Sequence, residues 1–229
     1  MPACGPFGPE EVPVSPRVLR RSIPRPALRA FFPLLIVTSL AACASGPTGE
    51  ATLRPGLQRL PHLRTQGDLV IATLQGVAIT VQPLTTKELD AHYVRRPSLI
   101  NPFKTLPKAA GRPLAFNVRI QNQGRDRVTF DPSQAWLVDQ KGHRTTALPY
   151  DELHSVFSEG DQAQPALQAL QETVLTNFLV VPPKLDRQGL LLFPLLEPEA
   201  KSLILEMGSF YIGSAEQLLL FEFEVRRAP

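Results

Sequence analysis

The residues Leu114–Gln121 read LAFNVRIQ, a stretch with a large apolar side chain at every second position. Because the side chains of a β-strand point alternately to opposite faces, this spacing is typical of a strand with one face in a core. The predicted buried face consists of Leu114, Phe116, Val118 and Ile120. The stretch therefore predicts an antiparallel sheet, in which strands commonly have one buried and one solvated side.

Strand-like runs continue on both sides of this stretch. The predicted strands are Leu69–Leu74, Val77–Val81, Val128–Phe130, Ala135–Val138, Arg144–Leu148, Leu190–Phe193, Ser202–Met207 and Gln217–Val225. Asn122-Gln123-Gly124 and Asp139–Gly142 have the composition of hairpin turns, and Gly124 is expected to take a positive φ. The only tryptophan, Trp136, lies in one of the apolar runs, so we expect it in the core.

Two stretches between the predicted strands have helical spacing instead. Tyr150–Phe157 is short, and Pro165–Leu179 begins with proline in a first-turn position. The sequence thus predicts a mainly β protein, an antiparallel β-sandwich over residues 68–229 with a helical insertion at about 150–180.

Part of the predicted sandwich resembles immunoglobulin-like domains of unknown function that are common in bacterial lipoproteins. The resemblance rests on an alternating strand that ends in Asn122 and on a later strand that ends in Asp139–Gly142. It extends to the late stretch GLLLFP at Gly189–Pro194. What it implies is an immunoglobulin-like architecture, without catalytic residues.

The positive charge of the chain lies at its beginning. The 24 Lys and Arg residues exceed the 21 Asp and Glu residues by three. Five arginines and two glutamates within residues 1–42 account for that excess, so residues 43–229 have no net charge. No run of Lys and Arg remains there, which argues against a nucleic-acid partner.

The basic beginning leads into an apolar run of 11 residues, Ala30–Leu40, whereas a membrane-spanning helix needs about 20. Leu40-Ala41-Ala42-Cys43 then precedes small residues, and this combination resembles the lipobox of bacterial lipoproteins. The resemblance implies that residues 1–42 are a signal peptide, cleaved before Cys43, and that the Cys43 thiol carries lipid. The first 13–17 residues are unusual for a signal, so we expect translation to start after them, at Val14 or Val18.

Lipid on Cys43 would anchor the exported chain in a membrane. Ala44 follows the cysteine, whereas Asp at that position resembles an inner-membrane retention signal. The resemblance therefore implies the outer membrane, facing the periplasm. Residues 43–67 begin with Gly, Pro, Ser and Thr and are expected to form a flexible tether. No second cysteine follows Cys43, so lipid on the Cys43 thiol would leave the exported part without a disulfide or a thiol nucleophile.

One candidate binding segment lies between two predicted strands, at Thr86–Arg96. Its candidate residues are His92, Tyr93, Arg95 and Arg96. Histidine, tyrosine and two arginines in one loop could bind an anionic partner, an envelope protein or a polysaccharide. In the alternative interpretation the segment is a connecting helix whose Leu89 and Tyr93 pack on the sandwich while both arginines are solvated.

Motifs of known chemistry are missing from the sequence. It has no nucleophile elbow, P-loop or dinucleotide-binding glycines, and its four histidines do not have metal-ligand spacing. We therefore predict no catalytic residues, no metal ligands and no cofactor. The predicted function is a lipid-anchored, non-catalytic binding or assembly accessory at the cell envelope. A hydrolase of envelope polymers and a carrier of a small ligand or metal are the alternatives, and the oligomeric state stays open.

Overall fold

In the computed structural model, which describes residues 51–104, 106 and 111–227, most of the regular structure is β. The strands are β1 (Ala51–Pro55), β2 (Leu63–Gln66), β3 (Leu69–Leu74), β4 (Val77–Leu84), β5 (Leu114–Asn122), β6 (Val128–Phe130), β7 (Ala135–Asp139), β8 (Arg144–Thr146), β9 (Leu179–Val181), β10 (Asp186–Phe193), β11 (Ser202–Met207), β12 (Phe210–Ile212), β13 (Ala215–Glu216) and β14 (Leu219–Arg227). The helices are α1 (Thr86–Val94), α2 (Tyr150–Phe157) and α3 (Ala163–Thr173), with 3₁₀ turns at Pro102–Lys104 and Pro132–Gln134.

The strands of the described residues form three antiparallel sheets. The first sheet has the order β1-β14-β11-β7-β8, the second β10-β5-β4-β3-β2, and the third β13-β12-β6-β9. The stretch LAFNVRIQ is the start of β5, which pairs with β4 on one side and β10 on the other. The predicted mainly β, antiparallel fold is confirmed, and the predicted helical insertion contains α2 and α3.

Side chains from all three sheets form a main core. Phe116, Val118 and Ile120 of β5 are fully buried in it, as the alternation predicts, and Leu114 is half-buried. The Phe116 ring contacts the rings of Phe193 and Phe223, with centroids 5.8 and 5.3 Å apart. Alternation along one strand thus identified the inner face of the second sheet.

The opposite face of the second sheet is partly covered by a helical layer, which consists of α1, α2, α3 and the 3₁₀ turn Pro102–Lys104. In β10, Leu191 and Phe193 belong to the main core, whereas Leu190 and Leu192 belong to a second core beneath the helical layer. A strand covered on both faces has no need of polar residues at alternate positions. This explains the unbroken apolar run in GLLLFP.

The predicted flexible tether is wrong for Ala51–Gln66. β1 pairs with β14 over its whole length, and Leu53 of β1 and Leu63 of β2 are buried in the main core. Residues 51–66 therefore belong to the folded domain, whose predicted start at residue 68 is too late. Cys43 and the predicted signal peptide lie outside the described residues.

The predicted hairpin at Asn122-Gln123-Gly124 is also wrong. β5 belongs to the second sheet and β6 to the third, and Gly124 does not have a positive φ. A two-residue hairpin with left-handed backbone occurs instead between β3 and β4, at Gln75 (φ 48°) and Gly76 (φ 80°). Composition alone does not distinguish a hairpin turn from a crossing between sheets.

Trp136 lies on the outward face of β7 and is half-buried, so its predicted place in the core is wrong. Ala135 and Leu137 occupy the inward positions of that strand, and the Arg144 guanidinium covers the Trp136 ring at 4.9 Å. The predicted helix Pro165–Leu179 ends at Thr173, because the chain beyond it runs beside β10. There the Leu175 N–H donates to the Leu190 carbonyl at 2.8 Å.

Candidate apolar groove beside the helical layer

Helix α1 begins at a capping box. The Thr85 N–H donates to the Glu88 carboxylate at 2.8 Å, and the Glu88 N–H donates to the Thr85 hydroxyl at 3.3 Å. These bonds satisfy backbone N–H groups that a helix start leaves unpaired. The helix then buries Leu89 and Tyr93 against the second sheet and the other helices, as the connecting-helix interpretation expects.

A row of four aromatic rings crosses the helical layer from α1 to α2. His92 contacts Tyr93 at 5.3 Å between ring centroids, Tyr93 contacts Phe103 at 6.0 Å, and Phe103 contacts Phe157 at 5.8 Å. Each pair is edge-to-face, an arrangement that aromatic rings prefer. We call His92, Tyr93, Phe103 and Phe157 the aromatic row. It connects the predicted site residues to the opposite side of the helical layer.

Tyr93 is fixed in the aromatic row by its hydroxyl. The Thr173 hydroxyl donates to the Ala169 carbonyl at 2.6 Å, so its oxygen accepts a hydrogen bond from the Tyr93 hydroxyl at 2.8 Å. Burial raises the pKa of Tyr93 to about 12. The phenol is therefore neutral at physiological pH, and its hydrogen bond to Thr173 connects α1 to α3.

The imidazole of His92 is buried, with 8% of the residue exposed. Its Nε2 has no hydrogen-bond partner among the described residues. Burial, together with the charges of Arg96 and Arg95, lowers the pKa of His92 to about 4. The ring is therefore neutral at physiological pH, and Arg96 donates to the His92 carbonyl at 3.0 Å.

The structure does not bring the four predicted binding residues together on one surface. His92 and Tyr93 are buried, Arg95 is exposed, and Arg96 is half-buried. The first two instead form the buried end of the aromatic row. The other predicted site residue, Cys43, lies outside the described residues.

At the far end of the aromatic row lies a groove of about 250 Å³, open to solvent. Phe103, Leu153 and Phe157 line it from the second core. Val156 of α2 and Leu195, which follows β10, also line it, with 54% and 61% of their surface exposed. We call this the apolar groove. Two of its walls come from the helical layer and from the chain segment after β10, and a third comes from the segment before β5.

Polar contacts hold the remaining wall of the apolar groove. Arg112 lines the groove and donates to Asp90 at 2.9 Å, and Asn101 donates to the same carboxylate oxygen at 2.7 Å. Next to Arg112, Gly111 has a φ of +66°, and a Cβ there would lie 2.4 Å from the Leu195 side chain. Glycine thus lets the backbone approach Leu195 closely.

The chemistry of the apolar groove follows from its lining. Arg112 and Glu152 are the charged residues that line it, and Asp90 neutralises the first of them. The lining offers a rigid aromatic floor and two exposed aliphatic side chains, which suits an apolar group. Sequence reasoning predicted the helix Tyr150–Phe157 but did not assign it to a site. The sequence feature that could have indicated the site is Val156, an apolar residue of α2 that lies beside the buried positions Leu153 and Phe157 but is itself exposed.

No family model, curated protein or solved structure matches the chain significantly. Among the described residues, no group of three or more His, Cys, Asp or Glu side chains is placed to hold a metal ion. None of the helices in that part of the chain is both long enough and apolar enough to cross a bilayer.

Proposed function

We propose that the chain is a lipid-anchored, non-catalytic accessory of the cell envelope that binds a protein partner through the apolar groove. Leu40-Ala41-Ala42-Cys43 supports the lipid anchor, and Ala44 supports the outer membrane, facing the periplasm. The Asp139–Gly142 motif and the three antiparallel sheets support an immunoglobulin-like sandwich. The observation that carries the binding function is the apolar groove with Val156 and Leu195 exposed at its edge.

Exposed aliphatic side chains beside a concave apolar surface favour a binding site. Full burial of such a side chain contributes about 1.5–3 kcal/mol, so covering the exposed half of Val156 or Leu195 contributes about 1 kcal/mol each. The volume of about 250 Å³ lies below the range of about 300–1,000 Å³ that is usual for small-ligand sites. One or two apolar side chains of a protein partner fit such a groove better than a whole small molecule does.

The charge around α2 indicates the partner's chemistry. Between Arg144 and Lys184 the chain has no Lys or Arg. Its five acidic residues in that range are all exposed: Asp151, Glu152, Glu159, Asp161 and Glu172. Complementary charge speeds association and suppresses wrong partners. The partner segment therefore combines an apolar side chain, which enters the groove, with basic residues beside it.

Site-specific photocrosslinking in the native envelope tests the binding function. A benzophenone amino acid placed at Val156 or at Leu195 should capture the same protein. The crosslinked peptide, identified by mass spectrometry, should contain an apolar residue next to Lys or Arg. Leu57 and Leu218 are matched controls, since 82% and 63% of their surface is exposed and neither lines the groove. Equal capture from the controls, or no capture from the groove, would contradict the proposal.

The lipid anchor has its own test. Cys43→Ala removes the thiol that the proposed lipid modifies, so the variant should lose labelling by a palmitate analogue and leave the membrane fraction. Wild-type chain prepared in parallel should keep both properties. Membrane-bound Cys43→Ala protein that still takes up the label would overturn the anchor without affecting the argument for the groove.

A further inference from the structure

A second concave surface lies where α2 and α3 meet. It has a volume of about 380 Å³ and shares no lining residue with the apolar groove. The polar side chains that line it are Tyr150, His154, Gln164, Gln168 and Gln171. We call it the glutamine trough. Unlike the apolar groove, it offers mainly hydrogen-bonding groups.

Helical spacing places these side chains on facing stripes. Tyr150 and His154 are four residues apart on α2, with ring centroids at 5.9 Å, and the three glutamines follow at intervals of four and three on α3. Residues three and four apart share one face of a helix. One wall of the glutamine trough therefore presents two rings and the other presents three carboxamides.

Two of the carboxamides are held by neighbours. Gln171 Nε2 donates to the Tyr150 hydroxyl at 2.8 Å, and Gln168 Nε2 donates to the Glu172 carboxylate at 2.9 Å. Each amide keeps its oxygen as an acceptor and a second N–H as a donor, and the Tyr150 hydroxyl keeps its hydrogen. The trough thus offers donors and acceptors in fixed positions beside apolar ring faces.

The charge pattern selects among polar ligands. The lining holds no Lys, Arg, Asp or Glu, and the five exposed acidic residues on and between the two helices repel anions. Phosphates and uronic acids are disfavoured for this reason. Saccharide hydroxyls both donate and accept hydrogen bonds, as carboxamides do, and the C–H face of a sugar ring packs on aromatic side chains. We propose that the glutamine trough binds a neutral or amino-bearing saccharide.

Isothermal titration calorimetry tests this inference on the full chain, in a detergent without a sugar headgroup. The probes are three trisaccharides, each built from one kind of sugar. The trimer of N-acetylglucosamine is neutral, the trimer of glucosamine carries amino groups, and the trimer of galacturonic acid is anionic. The neutral or the amino-bearing probe should bind with a stoichiometry of one. The anionic probe should bind at least about tenfold more weakly, because of the acidic surroundings.

Variants assign the binding to the trough. The double variant Gln168→Ala/Gln171→Ala should weaken the affinity about tenfold or more, since two carboxamides are lost. Gln66→Ala, in β2, removes an exposed carboxamide elsewhere and should leave the affinity unchanged. An unchanged melting temperature excludes unfolding as the cause. If neither the neutral nor the amino-bearing probe binds, the inference is overturned. It is also overturned if the anionic probe binds as tightly as the other two, or if the double variant binds as tightly as the wild-type chain.

Discussion

The side chain of Asn122 joins two sheets. Its Nδ2 donates to the carbonyls of Asp126 and Val181 at 2.8 and 3.0 Å, and its Oδ1 accepts the Gly124 N–H at 3.0 Å. The residue is fully buried at the end of β5, and Val181 belongs to β9 of the third sheet. A residue type that sequence reasoning assigns to a turn thus satisfies backbone groups where the chain crosses between sheets.

Asn122→Leu keeps the branched shape of the side chain but leaves the Asp126 and Val181 carbonyls and the Gly124 N–H without this partner. The free energy of unfolding should fall by about 3 kcal/mol, because each buried unpaired group costs about 1–3 kcal/mol. Urea denaturation measures the change. Gln121→Leu, on the other face of the same strand, should change stability by less than about 0.5 kcal/mol. Equal effects of the two variants would show that the Asn122 contacts contribute nothing specific.

His92 makes stability depend on pH. Its pKa is about 4 in the folded chain, whereas an unfolded histidine titrates near 6.5. Between these values the unfolded chain binds the extra proton, so the stability that the neutral ring contributes is complete above pH 6.5 and lost as the pH falls towards 4. The free energy of unfolding should therefore decrease over this window.

Replacement of His92 isolates this contribution from that of the carboxylates. His92→Leu should flatten the decrease in unfolding free energy between pH 6.5 and 4, when urea midpoints are compared at each pH. His154→Leu removes an exposed histidine from α2 and should leave the decrease in unfolding free energy between pH 6.5 and 4 as large as in the wild type. If the unfolding free energy of the two variants decreases equally with falling pH, protonation of His92 does not limit stability in acid.

At the scale of elements, β10 shows how the second sheet and the helical layer fit together. At Gly189 of β10, a Cβ would lie 2.6 Å from Leu175 Cδ2 and 3.0 Å from the Thr173 carbonyl oxygen. The chain after α3 thus approaches the strand as closely as it does because position 189 has no side chain. This contact forms part of the boundary between the two cores.

Gly189→Ala should lower the free energy of unfolding by about 1–3 kcal/mol, the usual cost of adding an atom to a closely packed site. Gly56→Ala is the matched control, since a Cβ there would meet its nearest atom at an ordinary 3.4 Å and the backbone has no positive φ. Thermal or urea unfolding compares them. A Gly189 variant as stable as the Gly56 variant would show that the segment after Thr173 moves aside without cost.

Sequence patterns predicted which residues form strands and helices better than they predicted which of these elements contact each other. Alternation identified β5 together with its buried face, strand-like composition identified β14, and helical spacing identified α2. The pattern failed where a different contact decides the structure. Ala51–Pro55 forms β1 because β14 offers it an edge, and α3 stops at Thr173 because β10 offers the next residues a hydrogen-bond partner. Such contacts join residues far apart in sequence.

At the scale of the whole molecule, the apolar groove is a product of tertiary structure. Phe103 precedes β5, Val156 lies in α2, and Leu195 follows β10, so no local pattern places them together. The expected binding residues His92 and Tyr93 have polar side chains, but they pack inside the helical layer. The sequence alone shows that residues 145–183 are acidic. Only the position of α2 in the fold shows that these charges lie beside the apolar groove.

The most direct measurement of the central claim is the yield of the crosslink from Val156 in the envelope, compared between two charge reversals. Glu152→Lys reverses a charge that lines the apolar groove, whereas Glu216→Lys reverses an exposed one on β13, outside the groove and outside the acidic stretch 145–183. If a basic and apolar protein segment occupies the groove, Glu152→Lys lowers the yield severalfold, and Glu216→Lys leaves it unchanged. Equal yields from both variants would contradict the account.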